Sequence, residues 1–324
     1  MQLDKVAKEV VLENLRTALP SRRPAMLAHL RQGYGGQAVS LDVFLQDTGL
    51  DLVDVYRSGC WSGLKRDAGL AVAAAGPQED VLGKSLERLL HIDDPLRLDG
   101  YRTWLKGGDA DPRLITALVY TLWSKDAPAT LEEVRTILNA HPAIVHELLE
   151  LLDLLEERAD HLTSPYAGAP LSVHARHSLV EIFSAFGRIT PGRFYQHREG
   201  VYRDEATNSD LFFVTLEKSE RDYSPSTLYK DYAISPTLFH WESQSLTSQQ
   251  SPTGQRYIKH RKRGGQILLF VRARKKQDGA TVPYTFLGPM DYVSHKGERP
   301  IAFVWKLRQP MPADFFRAAK VASG

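Results

Sequence analysis

The apolar positions of this chain change their spacing once. In residues 6–19 (VAKEVVLENLRTAL), Val6, Val10, Leu12, Leu15 and Leu19 recur at close to the helical period, as one face of an amphipathic helix does. Ser21-Arg22-Arg23-Pro24 reads as a break after it, and Gly33-Tyr34-Gly35-Gly36 as a loop. Residues 40–49 run from Ser40, suited to N-capping, to a glycine stop at Gly49, and 51–59 repeat the arrangement between Asp51 and Gly59. Helices are also predicted over 81–94 and 130–162. In the latter, Thr130 and Glu133 have the spacing of a capping box, and Pro142 splits the run in two.

Residues 163–171 concentrate Ser, Pro, Gly and Ala, which break regular structure, so a domain boundary is expected there, with domains over 1–165 and 170–324. One more helix, 172–186, is predicted before Gly187. Beyond it the period becomes that of strands. GVYRD, DLFFVTLEK, TLFHWES, QRYIKHR, GQILLFVRAR, YTFLGPMDYVS and PIAFVWKLR are short, aromatic and β-branched, and turn residues separate them. The fold class is therefore α+β: an all-α N-terminal half followed by a small curved β-barrel.

Composition narrows the picture. The 324 residues suffice for two domains, and 43% hydrophobic with 25% charged residues is ordinary globular usage. No apolar run approaches the roughly 18 residues of a membrane span, and the N-terminus lacks a signal-peptide core, so no membrane contact and a cytoplasmic location are expected. Cys60 is the only cysteine, which excludes an internal disulfide and a cysteine-based zinc site. The net charge of +2 hides an asymmetry. Residues 171–324 carry 23 Lys and Arg against 14 Asp and Glu, and residues 1–170 carry 18 against 25. An acidic half is joined to a basic one, and the basic half suits a polyanion.

Motifs for ATP hydrolysis, dinucleotide binding, serine hydrolysis and zinc proteolysis are absent from the sequence, so no catalytic residue and no cofactor is expected. His174 and His177, three apart on the predicted helix, have no third metal ligand nearby in sequence, and surface or core histidines are the plainer reading. A metal-dependent nuclease would need one residue between an acid and a lysine to hold both on one strand face. Glu217 and Lys218 are adjacent, which counts against it.

The densest unusual stretch is 228–263. Tyr229, Tyr232, Phe239, Trp241 and Tyr257 supply aromatic faces, and Asp231, Glu242, Ser243, Gln244 and Ser245 supply directional hydrogen bonds. Positive charge comes from Arg256, Lys259, Arg261, Lys262 and Arg263, and further on from Arg272, Arg274, Lys275 and Lys276. Phe239 and Trp241, at strand spacing, equally suit a barrel core, and 261–263 a solvated hairpin tip. Together the three ingredients match a nucleic-acid site, with cations for phosphates, rings for bases and polar groups for base edges.

The segments Asp210-LFFVTLEKSE, Tyr223-SPSTLYKDYAISPTLFHWESQS, Thr253-GQRYIKH, Ile267-LLFVRARKK and Phe286-LGPMDYVSHKGERPIAFVWKLRQPMP resemble, in order over most of 170–315, an uncharacterised domain family. That family forms the C-terminal part of large bacterial proteins that join a phospholipase-D-type nuclease, a DEAD/DEAH-box helicase and this domain. The first half, with SLDVFLQDTGLDLVDVYRSGCWSGL and LLHIDDPLRL, is similar to the helical region between helicase and C-terminal domain. The resemblance to type IV restriction enzymes of this architecture implies an SRA-like, PUA-like barrel that selects 5-methylcytosine or its hydroxymethyl form. Tyr229-Lys230-Asp231-Tyr232 loosely resembles the Tyr-Asp-Gly element of eukaryotic SRA domains but lacks the glycine.

The expected function is a DNA-binding specificity module that flips and reads a modified cytosine in methylated duplex DNA, with helicase and nuclease modules in cis or in trans. Because those modules are absent here, the chain is expected to be a fragment, a truncated product or one subunit of a split system. The alternatives are a coupling module of a helicase that recognises no base, and a cryptic nuclease.

Overall fold

The computed structural model describes residues 21–57, 59–159, 162–217, 231–277 and 279–322. The chain divides into two compact units: the described part of Met1–Asp160 with Ile189–Phe194, and His161–Arg188 with Tyr195–Gly324. The helix expected over 6–19 lies outside the described residues.

The first unit is helical, with α1 Arg23–Tyr34, α2 Leu41–Thr48, α3 Leu52–Arg57, α4 Trp61–Asp67, α5 Glu79–Ser85, α6 Pro95–Leu105, α7 Pro112–Trp123, α8 Leu131–Asn139 and α9 Pro142–Glu157. Prolines start these helices rather than end them. Pro24, Pro95, Pro112 and Pro142 each occupy a first turn, where the missing N–H costs nothing. Pro24, read from the sequence as a break, thus opens α1. Ser40 accepts from the Val43 amide, and the Thr130–Glu133 capping box is present in both directions. The helix expected over 81–94 stops early in a 3-10 turn, Leu86–Leu89, and Asp94 caps α6 instead. Every residue of α7 from Leu114 to Trp123 is buried, which makes it the central helix of the unit. Glu147 is buried too. Its carboxylate accepts from the Trp61 and Ser62 amides at 2.7 Å and so caps α4 from a distant helix.

In the second unit the helix predicted over 172–186 is half formed. Only Leu179–Ala185 (α10) is helical, capped by Ser178 and Glu181. Upstream, Ser172–Val173 (β2) pairs with Ser164–Pro165 (β1), and Arg176–His177 (β3) pairs with Tyr284–Thr285. His174 between them has a left-handed φ of 73°, which breaks helical continuity, so His174 and His177 do not share a helix face. Among the described residues no group of three or more metal-type ligands is gathered. Likewise no described helix is long and apolar enough to cross a membrane.

The main sheet contains β4 Val201–Asp204, β5 Ser209–Thr215, β6 Tyr232–Ser235, β7 Leu238–Glu242, β8 Gln266–Arg272, β11 Tyr284–Lys296 and β12 Ala302–Leu307, in the order β4-β5-β8-β11-β12-β7-β6. Lys276–Gln277 (β9) and Ala280–Thr281 (β10) form a separate small hairpin. β5 and β8 are parallel and the other neighbours along this order are antiparallel. The expected strand over QRYIKHR is instead a helix, Pro252–Ile258 (α11), because Ser251 caps the Gly254 amide and Pro252 sets the first turn.

No closed barrel is formed by the described strands, and the pairing order is open. The sheet is nonetheless strongly rolled. In a flat sheet β5 and β7, four spacings apart, would stand roughly 19 Å from each other. Phe212 of β5 and Trp241 of β7 stack with ring centroids 4.0 Å apart. Tyr257, Phe303 and Trp305 complete this concave core. On the convex side Phe213, Phe270 and Phe286 stack in a row, with Phe183 of α10 against Phe213. Gly288, at a positive φ of 84°, sits at the bulge that lets β11 bend past Val173.

Truncating Trp241 to alanine is expected to lower unfolding free energy by about 3–5 kcal/mol, because it empties the centre of the roll. Denaturant titration of the variant checks this.

Candidate nucleic-acid interface

The basic segment 259–263 is built by its neighbours. After α11 the chain turns through a 3-10 helix, Arg261–Arg263, which ends at Gly264 in a left-handed conformation. The Asn208 side-chain amide donates to the Arg263 carbonyl at 3.0 Å, and the Gln266 backbone amide donates to the Asn208 carbonyl at 3.1 Å. The turn is thus docked on the β4–β5 loop while Lys259, Arg261, Lys262 and Arg263 remain exposed.

Arg256, one helical turn earlier, faces inward. Its Nε and Nη2 each donate to Asp210 at 3.0 Å, and Arg203 Nη1 donates at 3.3 Å. Asp210 is fully buried, so the guanidinium groups neutralise it and fix α11 to the sheet. Arg272 is committed in the same way. It is buried, donates to Thr215 Oγ1 and to the Val282 carbonyl, and lies over the Tyr284 ring. Arg274 pairs with Glu217 at 3.1 Å, Lys275 is half-buried, and Lys276 is exposed on β9. The expected run of cations is therefore split. β8 lies between 261–263 and 274–276, and its seven residues hold the two sets roughly 20 Å apart.

The expected base-contacting residues also separate. Tyr229 lies outside the described residues. Phe239, Trp241 and Tyr257 are core residues, 0%, 4% and 1% exposed, and their rings are covered by the concave cluster, which leaves none for a base. Asp231 is buried and accepts from the Glu242 amide at 3.0 Å. Ser243 accepts from the Ile301 amide and donates to the Gln244 carbonyl. Glu242 and Gln244 are half-buried. Tyr232 remains available, 40% exposed and stacked on His240 at 4.6 Å with an interplanar angle of 14°.

Register shows what Tyr232 is grouped with. Asp291 lies opposite Lys306, and Lys306 opposite Leu238. Two residues along, Val304 lies opposite His240, and His240 opposite Tyr232. Cross-strand partners and alternate residues share a face. Asp291, Lys306, His240 and Tyr232 therefore occupy the outer face, opposite the buried Trp305 and Phe239. Arg308 Nη2 donates to Asp291 at 3.1 Å, and Arg261 Nε lies 3.6 Å from it, so the basic turn reaches onto the same face. From Asp291 to His240 the sheet lattice gives roughly 12 Å. Lys306, Arg308 and His240 are absent from the sequence-based site, although the alternation Val304-x-Lys306-x-Arg308 signals an outward polar edge.

Residues 188–319 match the family described as a domain of unknown function, DUF3427. The DUF3427 match spans the main sheet, α11 and the basic turn, and leaves the helical unit almost wholly outside. No curated protein matches the chain.

Burial alone would raise the Asp291 pKa within this DUF3427 region. The hydrogen bond and charge of Arg308, with Arg261 and His260 beside it, hold the carboxyl below its ordinary value instead. A depressed carboxylate contributes stability above its unfolded pKa of about 3.9, and that contribution is lost as pH falls through the folded value. Acid titration of Asp291→Asn is expected to lack this part of the acid destabilisation. The same variant removes the carboxylate between Arg261 and Arg308, and its affinity for polyanions such as heparin is expected to rise several-fold in a binding titration.

Proposed function

We propose that the β-rich unit is a DNA-binding specificity module that reads modified cytosine, 5-methyl or 5-hydroxymethyl, in duplex DNA. The observation that carries this reading is the shared outer face, where an exposed Tyr232–His240 stack lies on the same side of the sheet as Lys306, roughly 12 Å from the Asp291 that Arg308 and Arg261 of the exposed turn reach. Phosphates would engage the cations, which fix register without reading sequence. A flipped base would stack on the open side of Tyr232, and the Glu242 carboxylate would accept from the cytosine amino group. The rolled but open sheet is the kind of curved β-architecture that an SRA-like or PUA-like reader needs; α10 covers the convex side at Phe213, and the β12-β7-β6 end, with Lys306, His240 and Tyr232, would meet the duplex. Helicase and nuclease modules, in cis or in trans, would supply the motor and the cleavage, and the acidic helical unit would join the reader to them.

A second reading has one observation in its favour. Phe239 and Trp241 are core residues, as expected of a coupling module that recognises no base.

Titration of otherwise identical methylated and unmethylated duplexes separates the two. The reader is expected to bind the methylated duplex more tightly at every salt concentration, and Tyr232→Ala to abolish the difference. Reversing Arg261, Lys262 and Arg263 to glutamate should weaken both duplexes alike and flatten the salt slope by roughly 0.9 for each phosphate no longer neutralised. Equal affinity for the two duplexes overturns modified-base reading, and no binding at low salt favours the coupling role.

A further inference from the structure

A cleft in the helical unit holds an ammonium without a counter-charge and a carboxylate oxygen without a hydrogen-bond partner among the described residues. It has a volume of about 440 Å³, with Val39, Val72 and Ala143 among its apolar walls, Lys65 and Glu150 as its charged members, and His146 beside Glu150.

Lys65 is only 7% exposed. Its ammonium lies over the Trp61 ring, 5.3 Å from the centroid, and forms no ion pair or hydrogen bond among the described residues. A cation–π contact offsets part of the cost of withdrawing an ammonium from water, and a counter-charge would offset the rest. Two helices begin at the same cleft, α2 after Ser40 and α9 at Pro142. The 16-residue α9 has no side-chain cap, so its first-turn amides add partial positive charge beside Lys65. The far end has the opposite character. Glu150 Oε1 lies 3.8 Å from His146 Nε2, and Glu150 Oε2 is buried without a hydrogen-bond partner among the described residues.

We propose that this cleft binds a small zwitterion the size of a dipeptide, with its carboxylate at Lys65 and the start of α9 and its ammonium at Glu150. The span fits. Ala143 and Glu150 are seven residues apart on one helix, roughly 10 Å along its axis. Helical side chains lean toward the N-terminus, which brings the Glu150 carboxylate to roughly 7 Å, the length of two extended residues. The alanine and valine walls leave room for small side chains and offer no partner for polar ones.

Calorimetric titration of the full chain with alanyl-alanine tests the proposal, with N-acetyl-alanyl-alanine and alanyl-alanine amide as comparison ligands. Alanyl-alanine is expected to bind at least tenfold more tightly than either capped form. Lys65→Met should abolish binding. Glu150→Gln should bind the free and N-acetylated dipeptides equally while still rejecting the amide, and it keeps the test decisive if Lys65→Met fails to fold. No binding of alanyl-alanine at millimolar concentration overturns the proposal. So does equal affinity for all three ligands, or affinity unchanged in Glu150→Gln.

Discussion

A row of seven strands brings its second member against its sixth only if the concave side rewards the bend, and here the reward is aromatic. Phe212 and Trp241 stack across three intervening strands, with Tyr257, Phe303 and Trp305 filling in around them. Large rings bury the most apolar area per residue, so a few of them can hold a roll that hydrogen bonding does not close. The position of α11 follows from this seam, since Tyr257 must reach it. The basic turn 261–263 follows from α11.

The roll also divides the labour of the two sheet faces. Inward residues of β7 and β12 are consumed by the core, and outward ones at the next positions carry Tyr232, His240 and Lys306. The concave side is filled and the convex aromatic row lies under α10, so the outer face of β12, β7 and β6 is the part of the sheet that presents polar and charged side chains to solvent. Asp210 performs a related task beneath the turn. A buried carboxylate holding Arg203 and Arg256 keeps two guanidinium groups as structural ties, while the cations a few residues later stay in solvent.

In the helical unit, order comes from helix ends as much as from apolar stripes. Ser40, Asp94, Asp111 and Thr130 cap their own helices, and Glu147 caps α4 from another. The start of α9, which like those of α1 and α5 has no side-chain cap, opens onto the cleft that holds Lys65. At the start of α4, burial pushes the Cys60 thiol up to about 11, which keeps it protonated at neutral pH.

Much of this was legible in the order of residues. The change from helical to strand period, the capping box at Thr130, the split at Pro142 and six of the seven expected strands follow from local patterns that tertiary contacts did not override. The failures have physical causes. Pro24 suits a helix start as well as a stop, and a short aromatic run such as QRYIKHR fits a strand until Ser251 and Pro252 are weighed as a helix start. The site was less legible than the fold. Aromatic and basic residues close together in sequence suggest joint action, but strand alternation sends neighbours to opposite faces, and β8 carries the second set of cations to its far end. The sequence by itself determined the two-part architecture and the basic character of the second part, because periodicity and charge are local properties. Only the tertiary structure decided that Phe239 and Trp241 face the core and that Tyr232 joins Lys306 and Arg308, because cross-strand register is a property of paired strands.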